Sequence, residues 1–373
     1  MIDIESVGLV IFIVFSVAFA VQLGYNLIVF SRLAFYKEKP PQKQHQPVSI
    51  IICARNESEN LRKFLPYILE QDYPSFQVIV VNDCSFDDTG EYLKDLSPQY
   101  KHLKVVTIEE QEKYQHGKKF ALTLGIKAAE NELLLLTDAD CMPASKHWLS
   151  NMQNHFVPGT DIVLGYGAYL KKNSLVNKLI RFDTFYTALQ YLSFSLMNIT
   201  YMGVGRNLAY RKELFFKNKG FASHYHLLSG DDDLFINEVA TSGNTRVEIQ
   251  PESFTRSIPK SNFKSWFYQK KRHLTTSTLY KAKHKRMLAL FPVSSFIFYV
   301  CFITLLILQY NWQTVLIIYA IRLAFQLIIY GKAMQVLREL DLLPYLPLLD
   351  IFTVVFYPAL AVSNLFYKKV KWK

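Results

Sequence analysis

Residues 7–30 contain no charged side chain, and an apolar run of about 20 residues is long enough to cross a bilayer. No other feature limits the possible folds as sharply, because a chain anchored in lipid here must build any water-exposed domain from the residues beyond the anchor. Ala18-Phe19-Ala20 imitates a signal-peptide cleavage site. Asp3 and Glu5, however, stand where a signal would be basic, and the apolar run continues past Ala20, so residues 1–31 read as an uncleaved anchor. Arg32, Lys37, Lys39 and Lys43 come next, which by the positive-inside tendency places the adjoining segment in the cytoplasm. Two more spans are expected at 288–309 and 312–331, within a membrane region covering 288–373. Residues 345–366 carry Pro347, Asp350 and Pro358 and read as a span or as a re-entrant or interfacial segment. If all four cross, the tail with Lys368, Lys369, Lys371 and Lys373 falls outside, against the same tendency. The expected location is the cell (inner) membrane, multi-pass.

Between these segments apolar runs alternate with helical patterns. Residues 48–52, 77–81, 103–108 and 133–136 read as strands, with helices opening near 54–57 and 117–119. That alternation predicts an α/β domain over 48–250 with a parallel, doubly wound sheet. Leu133 to Leu136 is an unbroken leucine run, the pattern of a strand buried on both faces. It ends at Asp138-Ala139-Asp140. Ligands bind beyond the carboxyl ends of such strands, and two aspartates there suit Mg²⁺ or Mn²⁺ bridged to a diphosphate. Asn56, Glu57 and Asp83 end other strands, so the polar residues gather on one rim. There is no Gly-x-Gly-x-x-Gly turn and no Gly-Lys-Ser/Thr loop, so a nucleotide here would be held by side chains and metal.

Residues 161–166 are expected as a fifth strand. In 174–198, Leu175, Leu179, Phe182, Tyr186 and Leu189 recur at helical spacing, consistent with a core helix or one lying on the membrane. Asp231-Asp232-Asp233 is either an acidic helix start or the source of a carboxylate that removes a proton from an acceptor hydroxyl. The net charge of +11 is concentrated in 255–286, which holds no acidic residue. A basic, aromatic interfacial segment (251–287) before a span points to anionic lipid rather than nucleic acid. Cys53, Cys84, Cys141 and Cys301 form no Cys-x-x-Cys pair and read as free thiols, with no zinc site.

The ordered set Ala54-Arg55-Asn56-Glu57, Asn82-Asp83, Gly117-Lys118-Lys119, Asp138-Ala139-Asp140, Asp231-Asp232-Asp233-Leu234 and Gln269-x-x-Arg272 resembles the membrane-bound, inverting nucleotide-sugar glycosyltransferases of family 2, which have the GT-A (Rossmann-like) fold. The resemblance implies that Ala54, Asn56, Glu57, Asp83, Lys118 and Lys119 surround the donor nucleotide. Asp138 and Asp140 would serve a Mg²⁺ or Mn²⁺ ion, with Asp140 the more direct ligand. Asp231 would be the general base, with Asp232 the alternative because Gly230 stands where the family has Glu. Gln269 and Arg272 would lie near the diphosphate and acceptor channel, and His273 replaces the family's Trp. The implied reaction moves a sugar, UDP-linked by family frequency, onto a lipid or lipid-linked acceptor at the cytoplasmic face. A processive polysaccharide synthase, a non-catalytic nucleotide-sugar-binding membrane protein and a nucleotidyltransferase are the rival readings.

Overall fold

The computed structural model of the chain describes residues 4–37, 45–109, 117–227 and 229–366. The expectations on Lys39, Lys43, most of the linker and the basic tail lie outside the described residues.

Four strands, β1 (Val48–Ala54), β2 (Phe76–Asp83), β3 (Leu103–Ile108) and β4 (Leu133–Asp138), run parallel in the order β3-β2-β1-β4. The leucine run is buried on both faces. Leu134 and Leu136 join the core beneath the helix Lys118–Ala128, while Leu133 and Leu135 join a second core with Leu61, Leu65 and Trp148. Such alternation is what a period of two requires. Gly125 lets the helix Lys118–Ala128 settle on the sheet, because a Cβ there would lie 2.7 Å from Ile51 Cγ2.

Six short strands complete the sheets: β5 (Cys141–Pro143), β6 (Ile162–Leu164), β7 (Gly167–Tyr169), β8 (Leu208–Arg211), β9 (Thr245–Val247) and β10 (Thr255–Ser257). The main sheet continues β4-β8-β6-β9, and β8 is antiparallel to both its neighbours. The expectation of an all-parallel sheet is therefore corrected to a mixed one. A four-residue strand places only two side chains on each face, too few to set a pattern, so its direction is decided by the path of the chain. A small sheet, β5-β10-β7, caps the end where the parallel strands stop.

Among the described residues four helices are long and apolar enough to cross a membrane: Glu5–Ala34, Ala282–Ile307, Trp312–Val336 and Leu340–Ser363. The last contains a continuous α-helix, Leu346–Phe366, which passes through Pro358 rather than turning back. Asp350, the residue that weakened this segment in the sequence, is 2.9 Å from Arg322 and accepts from Gln326 Nε2 at 2.8 Å. Arg322 also donates to Gln22 Oε1 at 2.6 Å. A lone aspartate at mid-bilayer costs about 3 kcal/mol by insertion measurements, and this partnership on three helices offsets it.

The helix Leu175–Leu196 is buried along most of its length, so it packs in the core rather than lying on the membrane. Arg181 pairs with Glu339 and, at 2.7 Å, with Asp341, which ties this helix to the turn before the last span. The basic strip also partly turns inward. In the helix Phe263–Ser277, Trp266 stacks on Phe356 with centroids 4.9 Å apart, and Lys271 donates to the Ser363 carbonyl at 2.9 Å. The described cysteines are all free.

Candidate active site

The register of the parallel strands explains why the polar residues meet. Cys53 lies opposite Asp138, Ala54 opposite Asn82, and Asp83 opposite Ile108. Strands starting in register end in register, so Ala54, Asp83 and Asp138 form one rim. They border a cavity of about 990 Å³ that also takes in Glu57, Lys118, Asp140, Arg206, Asp231, Asp232, Gln269, Arg272 and His273.

Lys118 stands at the first turn of its helix and bridges two acids. Its Nζ is 2.9 Å from Asp138 Oδ1 and 3.0 Å from Asp231 Oδ2. Burial opposes its charge, but Asp138, Asp231 and Asp232 outweigh that and keep the ammonium charged well beyond its ordinary range. Burial also opposes ionisation of Asp138, yet the charge and hydrogen bond of Lys118 hold its pKa below the usual value. Asp140 behaves oppositely. Burial and then the neighbouring Asp138 charge push its pKa up to about 6, against the weaker pull of Arg206. One aspartate is matched by a lysine and the other is left wanting positive charge, which fits a divalent cation beside Asp140. Cys141 Sγ lies in the same group, within 4.8 Å of the carboxylate oxygens. Burial keeps it a thiol, and it sits 3.0 Å from Ser257 Oγ, so it is unsuited to a hard cation.

The three adjacent aspartates separate by partner. Asp232 accepts from Gly205 N at 2.7 Å and from Asp233 N at 2.8 Å, capping the helix Asp233–Val239. Burial, with Asp231 and Asp233 beside it, raises its pKa to about 7. Asp233 accepts from Leu234 N, Thr276 and, at 2.8 Å, Tyr280, anchoring the helix Phe263–Ser277 and the turn after it. Asp231 has the Lys118 contact and borders the cavity. Gly230 precedes them at φ +103°, a backbone state that disfavours any residue with a Cβ. Its carbonyl lies 2.9 Å from His224 Nε2. Gly230 thus sets the turn before the triplet, and Asp231 directs its carboxylate to Lys118 at the cavity border.

Two expected residues stand elsewhere. Lys119 is buried, and its Nζ donates to the carbonyls of His224 at 2.6 Å and Leu227 at 3.2 Å, so it holds the loop before the acidic triplet. Adjacent helical residues point about 100° apart, which is why Lys118 and Lys119 cannot both face the cavity. Asn56 adopts φ +54° and accepts from Phe86 N at 2.8 Å, shaping the turn beside Glu57 rather than lining the cavity. Neither residue is among those that border the cavity.

Sequence reading passed over Arg206 and Tyr169. The Arg206 guanidinium lies 4.3 Å above the Tyr169 ring, and its charge acts on both Asp138 and Asp140. Gln269 Nε2 donates to Tyr169 Oη at 3.4 Å, so Gln269 steadies the platform under Arg206. An arginine between a segment with two glycines, Gly203 and Gly205, and a four-residue strand was the available signal, but nothing local says which way it points. His273 opens onto the cavity from the helix Phe263–Ser277. The surrounding protein wall, then Lys270, Arg272 and Arg206, keep its imidazole neutral.

Comparison with known proteins places this geometry. Residues 49–217 match the family described as Glycosyl transferase family 2. Glycosyltransferase AglE of Haloferax volcanii is 30% identical over 188 residues, 50% of this chain and 58% of that protein. A poly-beta-1,6-N-acetyl-D-glucosamine synthase of Staphylococcus epidermidis is 30% identical over 157 residues, 39% of this chain and 36% of that protein. A beta-monoglucosyldiacylglycerol synthase of Trichormus variabilis is 31% identical over 133 residues, 35% of this chain and 27% of that protein. The chain therefore spans between 27% and 58% of the length of these relatives. Among solved structures, a mannosyltransferase of Pyrobaculum calidifontis in complex with GDP-Man and Mn²⁺ superposes with a TM-score of 0.61 at 20% identity, covering 98% of this chain and all of that one. Residues 49–217 thus match Glycosyl transferase family 2, and the chain shares the GT-A fold of that mannosyltransferase.

Proposed function

We propose that the protein is a membrane enzyme that transfers a sugar, with inversion, from a nucleoside diphosphate sugar to a lipid or lipid-linked acceptor at the cytoplasmic face. The observation that carries this is the continuity of one cavity. It runs from Asp138, Asp140 and Asp231 to Leu288 and Pro292 on the helix Ala282–Ile307 and Tyr357 on the last helix. A water-borne donor and a lipid acceptor can therefore meet in one continuous cavity. The relatives named above include a glycolipid synthase, and the structural neighbour was solved with a nucleotide sugar and Mn²⁺.

In this reading Glu57 and Asp83 border the nucleoside, while Asp138 and Asp140 hold the cation. A cation held there would supply charge neutralisation at the departing diphosphate. Arg206 and Arg272 supply further positive charge to the same oxygens. Asp231 takes the proton of the acceptor hydroxyl. The acceptor oxygen bonds to the anomeric carbon from the face opposite the leaving group. The bond from that carbon to the diphosphate oxygen breaks, and the nucleoside diphosphate leaves with the electron pair.

The direct test is a panel of UDP- and GDP-sugars with purified protein, Mn²⁺ and a membrane lipid extract, reading nucleoside diphosphate release and product size. One donor should give lipid-dependent release and a single added sugar. Binding without release across the panel would overturn the reading, and release of pyrophosphate would identify nucleotidyl transfer instead. In the same preparation Arg206→Ala should weaken nucleoside diphosphate binding by roughly ten- to a hundredfold by calorimetry, as expected for a lost charged hydrogen bond. Unchanged affinity would remove Arg206 from the donor site.

Orientation has its own measurement. Cys84, next to Asp83, is buried and makes a poor reporter, so Lys127→Cys on the exposed side of its helix is the better choice. A membrane-impermeant maleimide should label it in opened membranes and not in intact cells. Efficient labelling of intact cells would reverse the orientation.

A further inference from the structure

Part of the cavity wall is formed by residues outside the donor chemistry. We propose that the polar stripe of the helix Leu175–Leu196 is the subsite for the acceptor's head, and that this head is a sugar carried on a lipid rather than a phosphate. The inference rests on the glycosyl-transfer reading and adds the chemical class of the acceptor.

The helix is buried on most sides, yet Asp183, Thr187 and Gln190 all border the cavity. Their spacing of four and three residues places them on one stripe. Polar side chains on an otherwise buried helix are unfavourable unless something hydrogen-bonds to them. Asp183 is provided for within the protein: Lys270 Nζ lies 2.9 Å from Oδ2 and Tyr357 Oη donates to Oδ1 at 2.6 Å. Gln190 is barely provided for, because its Nε2 reaches only the Tyr186 carbonyl of its own helix at 3.5 Å, the limit of a useful bond. Its amide therefore remains available to a molecule in the cavity.

Charge decides which molecule. The ammonium of Lys270 is already matched by Asp183, so the stripe itself carries no net charge and offers donors and acceptors together. Hydroxyl groups, each both donor and acceptor, suit such a wall. A phosphate seated on this stripe would meet the Asp183 carboxylate. Tyr186, Trp266 and Tyr280 also border the cavity, so aromatic residues stand beside the polar stripe. Beyond them Leu288, Ala289 and Pro292 continue the wall along the helix Ala282–Ile307, the direction an alkyl chain would take toward the bilayer. Lys260 and Lys285 border the cavity as well, which makes an alkyl phosphate the natural competitor to test.

The experiment uses the full chain in phosphatidylcholine nanodiscs with a photoreactive dodecyl glucoside whose diazirine is on the alkyl chain. Labelling should be saturable, should map to the helix Leu175–Leu196 or to residues 288–292, and should be competed by dodecyl glucoside more strongly than by dodecyl phosphate. Gln190→Leu, which keeps the helix and the Asp183 contacts, and Thr187→Val, which also removes a hydroxyl from Tyr357, should each weaken that competition about fivefold, the loss of one net hydrogen bond. Stronger competition by dodecyl phosphate would overturn the proposal, as would affinities unchanged in both variants. Mn²⁺-dependent nucleoside diphosphate binding, measured in parallel, reports on the donor reading separately. Its absence would sink that reading, and its persistence with no glucoside competition would sink only this one.

Discussion

Asp231→Asn is expected to slow glycosyl transfer by roughly 10²- to 10⁴-fold, the range of a lost general base, while leaving donor binding near that of the parent protein. Asn keeps the shape of the side chain and one acceptor oxygen toward Lys118 but cannot take a proton. Asp232→Asn should keep most of its turnover, although its sequence position is almost as good. Both Asp232 oxygens are committed to backbone N–H groups, those of Gly205 and Asp233, and Asn is nearly as good a helix cap as Asp. Single-turnover rates with saturating donor, alongside donor affinity, separate the two roles. If Asp232→Asn is inactive and Asp231→Asn is active, the base moves by one residue and the turn at Gly230 has misled the assignment.

Asp140→Ala should abolish turnover with the fold intact, and the metal-free protein should show why. Its carboxyl has a pKa raised to about 6 by burial and by Asp138. A raised folded-state value means that the stabilising contribution is present below the unfolded pKa and is lost as pH climbs through 6. Above that pH the charged side chain works against the metal-free fold. Asp140→Ala without metal should then melt at the same temperature or higher at pH 8, and the parent should gain stability when Mn²⁺ is added. Because the carboxyl must lose its proton to ligate, Mn²⁺ affinity of the parent should fall about tenfold per pH unit below 6 and be flat above it. Calorimetry across pH 5 to 8 checks the slope. Undiminished turnover in excess chelator would refute the metal assignment.

The apolar ends and the strand rim were legible because their signals are local. A charge-free run of span length, a leucine run and acids at strand ends each have one physical meaning that needs no partner. The same holds for Asp138 and Asp140, whose place is set by where β4 stops. Direction within the site was not local. Lys118 and Lys119 are equivalent in sequence, and only the packing of their helix against β1 and β2, close at Gly125, sends one to the aspartates and the other to the carbonyls of His224 and Leu227. The antiparallel course of β8 was beyond the sequence for a related reason, since four residues encode no register.

The sequence by itself determined that this chain has apolar segments of membrane-spanning length toward both ends and carries between them a sheet with acids on one rim. Hydrophobic length and a period of two are properties of consecutive residues, so they survive without knowledge of the fold. Only the tertiary structure decided that Asp350 is paired inside the helical bundle, that Arg206 is held over Tyr169 beside the aspartates, and that the helix Leu175–Leu196 turns a polar stripe into the cavity. Each of these joins residues far apart in the chain, and the favourable energy of a charge pair or hydrogen bond exists only once folding has brought both partners out of water together.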